Sequence, residues 1–186
     1  SDEDLFRHAF RVFDDQHRKQ ERIFSVVMTT SNHKPFTFPQ GVPGVKPEGG
    51  GREAGVRYAD YAIGWFIKEL KKKPYFDSTL VVIVADHGAR TYGRASIPLP
   101  TYEIPFMVYS PKHIAPKRFD GLTSQLDVAP TMLGLLNISY DSLFFGKDTL
   151  IGDAQSRVAL FNHNRDIALL HNEQLAQLGF RKTRSM

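Results

Sequence analysis

Apolar side chains recur at helical spacing in three parts of the chain and predict three helices. The first helix covers residues 2–18, where Asp2 is suited to cap the amino end. The second covers residues 53–72, and the third covers residues 126–136. Pro130 falls in the first turn of the third helix, where its missing N–H costs little.

Continuous apolar runs between these helices predict strands. Three runs cover residues 23–30, 79–85 and 104–109, and two weaker ones cover residues 157–161 and 167–170. The second run is so uniformly aliphatic that burial on both faces is expected. Because helices or long loops separate the strands, the order favours a three-layer α/β fold with a mostly parallel sheet flanked by helices.

Two long segments lack a helical or strand pattern. Residues 34–52 are rich in Pro and Gly, and a loop of that length is more often functional than decorative, with a disordered surface excursion as the alternative. Residues 89–103 form a second irregular loop that contains Arg90 and Arg94. The polar residues 175–186 are predicted to be frayed or partly helical.

Composition narrows the possible classes of function. The 186 residues fit one domain, and 24 Lys and Arg against 20 Asp and Glu give a net charge of +4. The basic residues are scattered, so nucleic-acid binding is not expected. The chain has no cysteine, which excludes disulfides, thiolate zinc sites and a Cys nucleophile. No apolar stretch approaches the roughly 20 residues needed to span a bilayer, and the polar start at Ser1 indicates a piece of a longer protein.

The strongest candidate for chemistry follows the strand over residues 79–85. Asp86, His87 and Gly88 come directly after it, at the carboxyl end of a strand, where open α/β sheets bind ligands. A carboxylate beside an imidazole suits a divalent cation, and the glycine lets the backbone turn sharply so that both side chains face one cavity. An ordinary turn, with Asp86 bonding backbone amides, explains the same three residues.

Four motifs in fixed order carry a resemblance to a known family. They are Thr29–Phe36, Val84–Gly88, Ile104–Pro111 and Ser124–Leu133. Together they resemble the carboxyl-terminal half of the sulfatase and alkaline phosphatase superfamily, in its lipoteichoic acid synthase and phosphoglycerol transferase branch. The resemblance implies that residues 1–150 are the carboxyl-terminal half of a sulfatase-like catalytic domain. It also implies that residues 151–186 are the edge strands and tail of the same domain.

The resemblance implies a metal site and a substrate contact as well. In this branch an Asp-His pair helps to hold one divalent ion, and Asp86 and His87 match that pair. Manganese is the expected metal, with magnesium, zinc and calcium as alternatives. His33 matches the family histidine that contacts bound phosphate, and bracing of the long loop is its structural alternative.

The family nucleophile, a threonine, and a metal-binding glutamate lie upstream of the segment that this chain resembles. Thr29 and Thr30 are not substitutes, because they lead a strand end toward His33, whereas the family nucleophile opens a helix. The resemblance implies a parent enzyme that transfers or hydrolyses phosphate esters of anionic phospholipids at the extracytoplasmic face of the cell membrane. The chain itself is expected to be soluble and inactive. Its expected partners are the phospholipid, the rest of its catalytic domain and a membrane anchor.

Two other functions fit the same residues. A true sulfatase would use formylglycine and calcium, although imidazole is a softer ligand than calcium prefers. A non-catalytic remnant of the fold would instead bind an anion or a protein partner.

The remaining polar residues are weaker candidates. Lys34, Arg90 and Arg94 could contact an anionic group, although exposed loop residues are more often structural. Asp127 is expected to cap a helix. Three further histidines have no partner at ligand spacing and are expected to have ordinary roles: His113, His163 and His171.

Overall fold

The computed structural model describes residues 1–91, 94–179 and 184–185, which form a mixed helix and sheet structure. The helices are α1 (Asp2–Arg18), α2 (Gly51–Leu70) and α3 (Val128–Leu135). The strands are β1 (Val81–Val84), β2 (Phe106–Tyr109), β3 (Ala159–His163), β4 (Asp166–His171), β5 (Gln174–Leu178) and β6 (Arg184–Ser185). The three predicted helices are therefore confirmed, with bounds that differ by a few residues.

The chain divides into two compact units. Unit 1 comprises Ser1–Val82 and Val108–Ile114, and unit 2 comprises Ile83–Met107 and Ala115–Met186. Helices α1 and α2 lie in unit 1, whereas α3 and the sheet of β3 to β6 lie in unit 2. Strands β1 and β2 pair with each other in a two-stranded sheet, and each contributes residues to both units.

Aromatic packing joins the two helices of unit 1. The ring of Phe66 on α2 lies 4.8 Å from the ring of Phe6 and 5.0 Å from that of Phe10, both on α1. Leu70 and Tyr75 are buried beside Phe10 and complete this cluster. The amphipathic spacing of α1 therefore has the predicted role, because its apolar face is the face that meets α2.

The Pro-rich and Gly-rich loop before α2 is ordered against that helix. Phe38 and Val42 of the loop are buried with Ala54 and Tyr58 of α2. The rings of Phe38 and Tyr58 stack at 4.9 Å. The loop has no regular secondary structure, as predicted, and its apolar side chains hold it in place.

The strand predicted over residues 23–30 is not present as a strand. The segment has no ladder partner among the described residues, and Phe24, Val26 and Met28 are 78%, 77% and 72% exposed. A strand exists only where a neighbouring strand accepts its backbone hydrogen bonds, so an apolar run alone does not produce one. Strand β1 is likewise less buried than predicted, since Val84 is 38% exposed.

Unit 2 contains an antiparallel sheet with the strand order β3-β4-β5-β6. Strands β3 and β4 correspond to the two weaker runs of the sequence, and their buried alanines, Ala159 and Ala168, face the small core of this sheet. The prediction of a frayed or partly helical tail over residues 175–186 was wrong for residues 175–178, because β5 pairs with β4 along its whole length, and residues 180–183 and 186 lie outside the described residues. A tight turn at Asn172 and Glu173, both with positive φ, joins the two strands.

Candidate functional site

Asp86 and His87 follow β1 by two residues and project side chains that are 75% and 77% exposed. Ala85 still continues the strand geometry, since its amide donates to the carbonyl of Pro105 at 3.3 Å. The nearest atoms of the two side chains, Asp86 Oδ2 and His87 Nε2, are 3.7 Å apart. Metal–ligand bonds of about 2.0–2.2 Å would allow one ion to reach both atoms.

Hydrogen bonds fix the roles of the donor atoms in this pair. His87 Nδ1 lies 3.0 Å from the carbonyl oxygen of Gly88, which can only accept, so Nδ1 carries the proton and Nε2 keeps its lone pair. Asp86 Oδ1 accepts from the amide of His87 at 2.9 Å, and Oδ2 faces the imidazole. Asp86 thus makes the turn contact of one interpretation with Oδ1, while Oδ2 makes no contact with that amide and is directed at the imidazole.

Gly88 is required by a close backbone approach. A Cβ at this position would lie 2.1 Å from the carbonyl oxygen of Thr101 and 3.1 Å from that of Glu103. Because both contacts are backbone atoms, no side chain can move aside to make room. The sequence analysis explained this glycine by a sharp turn of the backbone. In the structure, the main reason for a glycine here is the close contact with the following loop.

The described residues contain no group of three or more His, Asp or Glu side chains that could hold a metal ion. Asp86 and His87 therefore fit a divalent cation as two ligands of a larger set. Two ligands alone hold an ion weakly, because affinity rises with ligand number and preorganisation.

His33 lies in unit 1 on an exposed turn, whereas Asp86 and His87 lie in unit 2. Its amide donates to the carbonyl of Thr30, and its own carbonyl accepts from the amide of Phe36, both at 3.0 Å. His33 Nδ1 lies 2.9 Å from the carbonyl oxygen of Lys34, so the ring directs Nε2 away from the backbone. This leaves one nitrogen for a ligand.

Asp2 holds the turn that precedes His33, a role the sequence did not reveal. Asp2 Oδ1 accepts from the amides of Thr30 and Ser31 at 3.0 and 3.1 Å, and the residue is only 1% exposed. The amide of Asp2 in turn donates to the Ser31 hydroxyl at 3.2 Å. The prediction that Asp2 caps α1 was wrong, because Ser1 occupies the cap and the Asp2 carboxylate is committed to the turn.

The weaker candidates take ordinary places. Asp127 directly precedes α3, but its side chain accepts no hydrogen bond from that helix; its carboxylate accepts from the amides of Ser124 and Lys147, both at 2.8 Å, and completes the capping box of the 3-10 turn Gln125–Asp127. Each of the three other histidines bonds a neighbour: His113 the carbonyl of Asp77, His163 the Tyr102 hydroxyl and His171 the carbonyl of Arg157. Lys34, Arg90 and Arg94 are exposed.

Within the described ranges, no helix is both long enough and apolar enough to cross a bilayer.

Comparisons with known proteins place this geometry in a family. The model of the sulfatase family matches residues 1–138. Human N-sulphoglucosamine sulphohydrolase is 29% identical over 61% of this chain and 23% of its own length. Lipoteichoic acid synthase from Staphylococcus saprophyticus is 26% identical over 78% of this chain and 25% of its own length.

Solved structures add the fold. A protein of the alkaline phosphatase superfamily from Vibrio parahaemolyticus superposes on all of this chain with a TM-score of 0.84 and 28% identity, and the chain covers 48% of it. The predicted α/β fold class is thereby confirmed, whereas the sheet of β3 to β6 is antiparallel rather than mostly parallel as expected. The chain spans about half of this structure and about a quarter of the two curated relatives. The chain belongs to the sulfatase family, and its relatives include both a sulphohydrolase and a lipoteichoic acid synthase.

Proposed function

We propose that this chain is part of a metal-dependent phosphoglycerol transferase or phosphodiesterase that acts on phospholipid head groups. The observation that carries the proposal is the 3.7 Å approach of Asp86 Oδ2 to His87 Nε2, with His87 Nδ1 occupied by a backbone carbonyl. A carboxylate and an imidazole nitrogen suit manganese, and magnesium, zinc or calcium are the alternatives.

In the proposed reaction, a threonine outside this chain attacks the phosphorus of phosphatidylglycerol. The new bond joins the threonine oxygen to phosphorus, the bond from phosphorus to the diacylglycerol oxygen breaks, and diacylglycerol leaves with a proton. A second hydroxyl or water then takes the glycerol phosphate group. A divalent ion at Asp86 and His87 would favour loss of the nucleophile's proton and would stabilise charge on the phosphoryl oxygens.

His33 is proposed to contact the phosphate. Because its Nδ1 bonds the Lys34 carbonyl, Nε2 can donate to a phosphate oxygen only when the ring is protonated. The imidazolium form would then supply both a hydrogen bond and a positive charge, and charge-assisted bonds are the stronger kind.

The remainder of the catalytic domain is the proposed partner of residues 23–28. Phe24, Val26 and Met28 expose a large apolar surface, and soluble proteins seldom leave such surfaces uncovered. Because solved relatives extend over about twice the length of this chain, we propose that a strand from the rest of the domain covers this segment. We propose that the parent protein acts at the extracytoplasmic face of the membrane, with an anchor outside this chain, and the likeness to lipoteichoic acid synthase supports this proposal.

A sulfatase is the second candidate, favoured by the likeness to the human sulphohydrolase. The two candidates differ in the reacting group, because a sulfatase hydrolyses a sulfate ester with formylglycine, whereas the proposed enzyme uses a threonine. A non-catalytic remnant that binds an anion is the third outcome of the test below.

The test uses the longest open reading frame that contains this chain. The purified product is assayed with Mn²⁺ on phosphatidylglycerol vesicles and, separately, on an aryl sulfate. We expect release of diacylglycerol, its loss in His87→Ala and His33→Ala, and its retention in His113→Ala, which removes a histidine bonded only to a backbone carbonyl. Turnover of the sulfate alone would favour the sulfatase, and turnover of neither would favour the remnant.

A further inference from the structure

Gln125 lies against the peptide that joins the two proposed metal ligands. Its side-chain nitrogen Nε2 donates to the carbonyl oxygen of Ala85 at 2.9 Å and to that of Asp86 at 3.0 Å. An amide nitrogen has two protons, so one side chain can serve both consecutive carbonyls. Gln125 thus fastens the backbone at the point where β1 ends and the Asp-His pair begins.

Gln125 is itself fixed in place. It opens the short 3-10 turn Gln125–Asp127, in which the amide of Ser124 donates to Asp127 Oδ2 at 2.8 Å. The other oxygen of Asp127 accepts from the amide of Lys147 at 2.8 Å. A Cβ at Gly146 would lie 2.0 Å from the carbonyl oxygen of Leu126, so this neighbouring segment presses closely on the turn. The side chain of Gln125 therefore extends from a backbone segment that hydrogen bonds and close packing hold in place.

The contact with the Asp86 carbonyl determines the orientation of the peptide group between Asp86 and His87. The carbonyl of Asp86 and the amide of His87 belong to one planar peptide group, so holding the first fixes the second. That amide donates to Asp86 Oδ1, and the bond sets the direction of Oδ2. Because both side chains are more than 70% exposed, surrounding packing does little to orient them.

We propose that Gln125 is a positioning residue for the metal ligands Asp86 and His87. This inference rests on the proposed metal site, and it adds a residue whose role acts through the peptide between the two ligands. Both protons of its side-chain nitrogen are donated to the two carbonyls, so its contact with the pair runs through the backbone. Partners that orient metal ligands commonly alter affinity by about 10- to 100-fold when they are lost.

The experiment compares the full chain with Gln125→Ala and Gln125→Glu. The Glu variant keeps the shape but replaces the NH2 group, which donates both hydrogen bonds, by one acceptor oxygen that faces the two carbonyls. Gln155→Ala is the matched control, because it removes the same amide from the turn Ala154–Ser156 of the same unit. Since Gln125 is exposed, all three variants should fold, which far-ultraviolet circular dichroism verifies.

Two readouts are used. Without metal, amide hydrogen exchange at His87 and the ¹⁵N shifts of its ring report the peptide orientation and the tautomer. With Mn²⁺, paramagnetic broadening of the His87 ring signals detects even weak binding. We expect about tenfold faster exchange and at least about tenfold weaker Mn²⁺ binding in both Gln125 variants, with the control unchanged.

Unchanged exchange and tautomer in both variants would overturn the contact itself. Faster exchange with undiminished Mn²⁺ binding would overturn the positioning role. If Mn²⁺ broadens no His87 signal in the unaltered chain, the proposed metal site fails and takes the positioning role with it, whereas the exchange data still establish the contact. Loss of the positioning role alone, with Mn²⁺ still bound at His87, is thus distinguished from loss of the metal site.

Discussion

The His33 turn of unit 1 and the His87 turn of unit 2 orient a histidine ring in the same way, but the side chain that holds each turn is an acceptor in the first and a donor in the second. Both rings place Nδ1 on the carbonyl of the next residue, at 2.9 and 3.0 Å, and both leave Nε2 for a ligand. In the first turn, the buried carboxylate of Asp2 accepts hydrogen bonds from two backbone amides of the turn. In the second turn, the neutral side chain of Gln125 donates hydrogen bonds to two backbone carbonyls of the turn. A neutral clamp beside Asp86 adds no carboxylate that would compete with it for a cation.

The difference also predicts where each turn is vulnerable. Asp2 is almost fully buried, so its loss would leave amides without partners inside unit 1. Gln125 is exposed, so its loss should alter the local geometry of the ligands rather than the stability of unit 2. The His33 turn is therefore held by a buried side chain, and the His87 turn is held by an exposed one.

The largest effect is expected from the glycines that pack against the two turns. Gly88→Ala places a Cβ 2.1 Å from a backbone oxygen and should lower the free energy of unfolding by about 3 kcal/mol. Gly55→Ala meets Asn32 Oδ1 at 2.9 Å and the Phe36 ring at 3.0 Å, and these side chains can shift, so about 1 kcal/mol is expected. Urea unfolding followed by circular dichroism measures both.

Gly64→Ala is the control for these two variants. A Cβ at Gly64, in the middle of α2, would meet nothing within 4 Å. Alanine there should stabilise the protein by about 1 kcal/mol through helix propensity alone. Equal effects at Gly88 and Gly55 would contradict the distinction between a rigid and a movable neighbour.

The second effect separates the two clamps. Asp2→Ala should cost about 2 kcal/mol, because the amides of Thr30 and Ser31 lose their acceptor. Asp2→Asn keeps one acceptor oxygen and should cost less. Fluorescence of Trp65, the single tryptophan, follows unfolding of unit 1 in urea.

Asp4→Ala provides the matched control, since Asp4 lies on the same helix but is 69% exposed. Its removal deletes the carboxylate that completes the capping box of α1, so a loss of stability is expected that is smaller than that of Asp2→Ala. An Asp2→Ala variant as stable as Asp4→Ala would show that the turn before His33 does not depend on the carboxylate.

Local patterns predicted much of this structure, and long-range contacts account for the errors. Helical periodicity located α1 and α2, and the Asp-His-Gly sequence located the candidate metal site. Both signals could be read because each lies within a few neighbouring residues. The strand over residues 23–30 was wrong, since strand formation depends on a partner elsewhere. The roles of Asp2 and Gln125 were missed for a similar reason: their bonds span between 28 and 40 residues of sequence.

The smallest effect is a pH dependence confined to unit 1. Burial would raise the pKa of the Asp14 carboxyl, but hydrogen bonds from Lys73 and Tyr75 outweigh it and hold that pKa below its ordinary value. A depressed carboxyl pKa stabilises the fold above the pKa of the unfolded chain, and the stabilisation is lost as pH falls through the folded value. Since Asp14 is 41% exposed, solvent screening limits this contribution to about 1 kcal/mol at most.

The urea midpoint from Trp65 fluorescence should therefore differ between the unaltered chain and Asp14→Asn at pH 7, and the gap should close in acid. A gap that stays constant with pH would mean that the asparagine acts through packing, and that ionisation of Asp14 contributes nothing to the stability of unit 1.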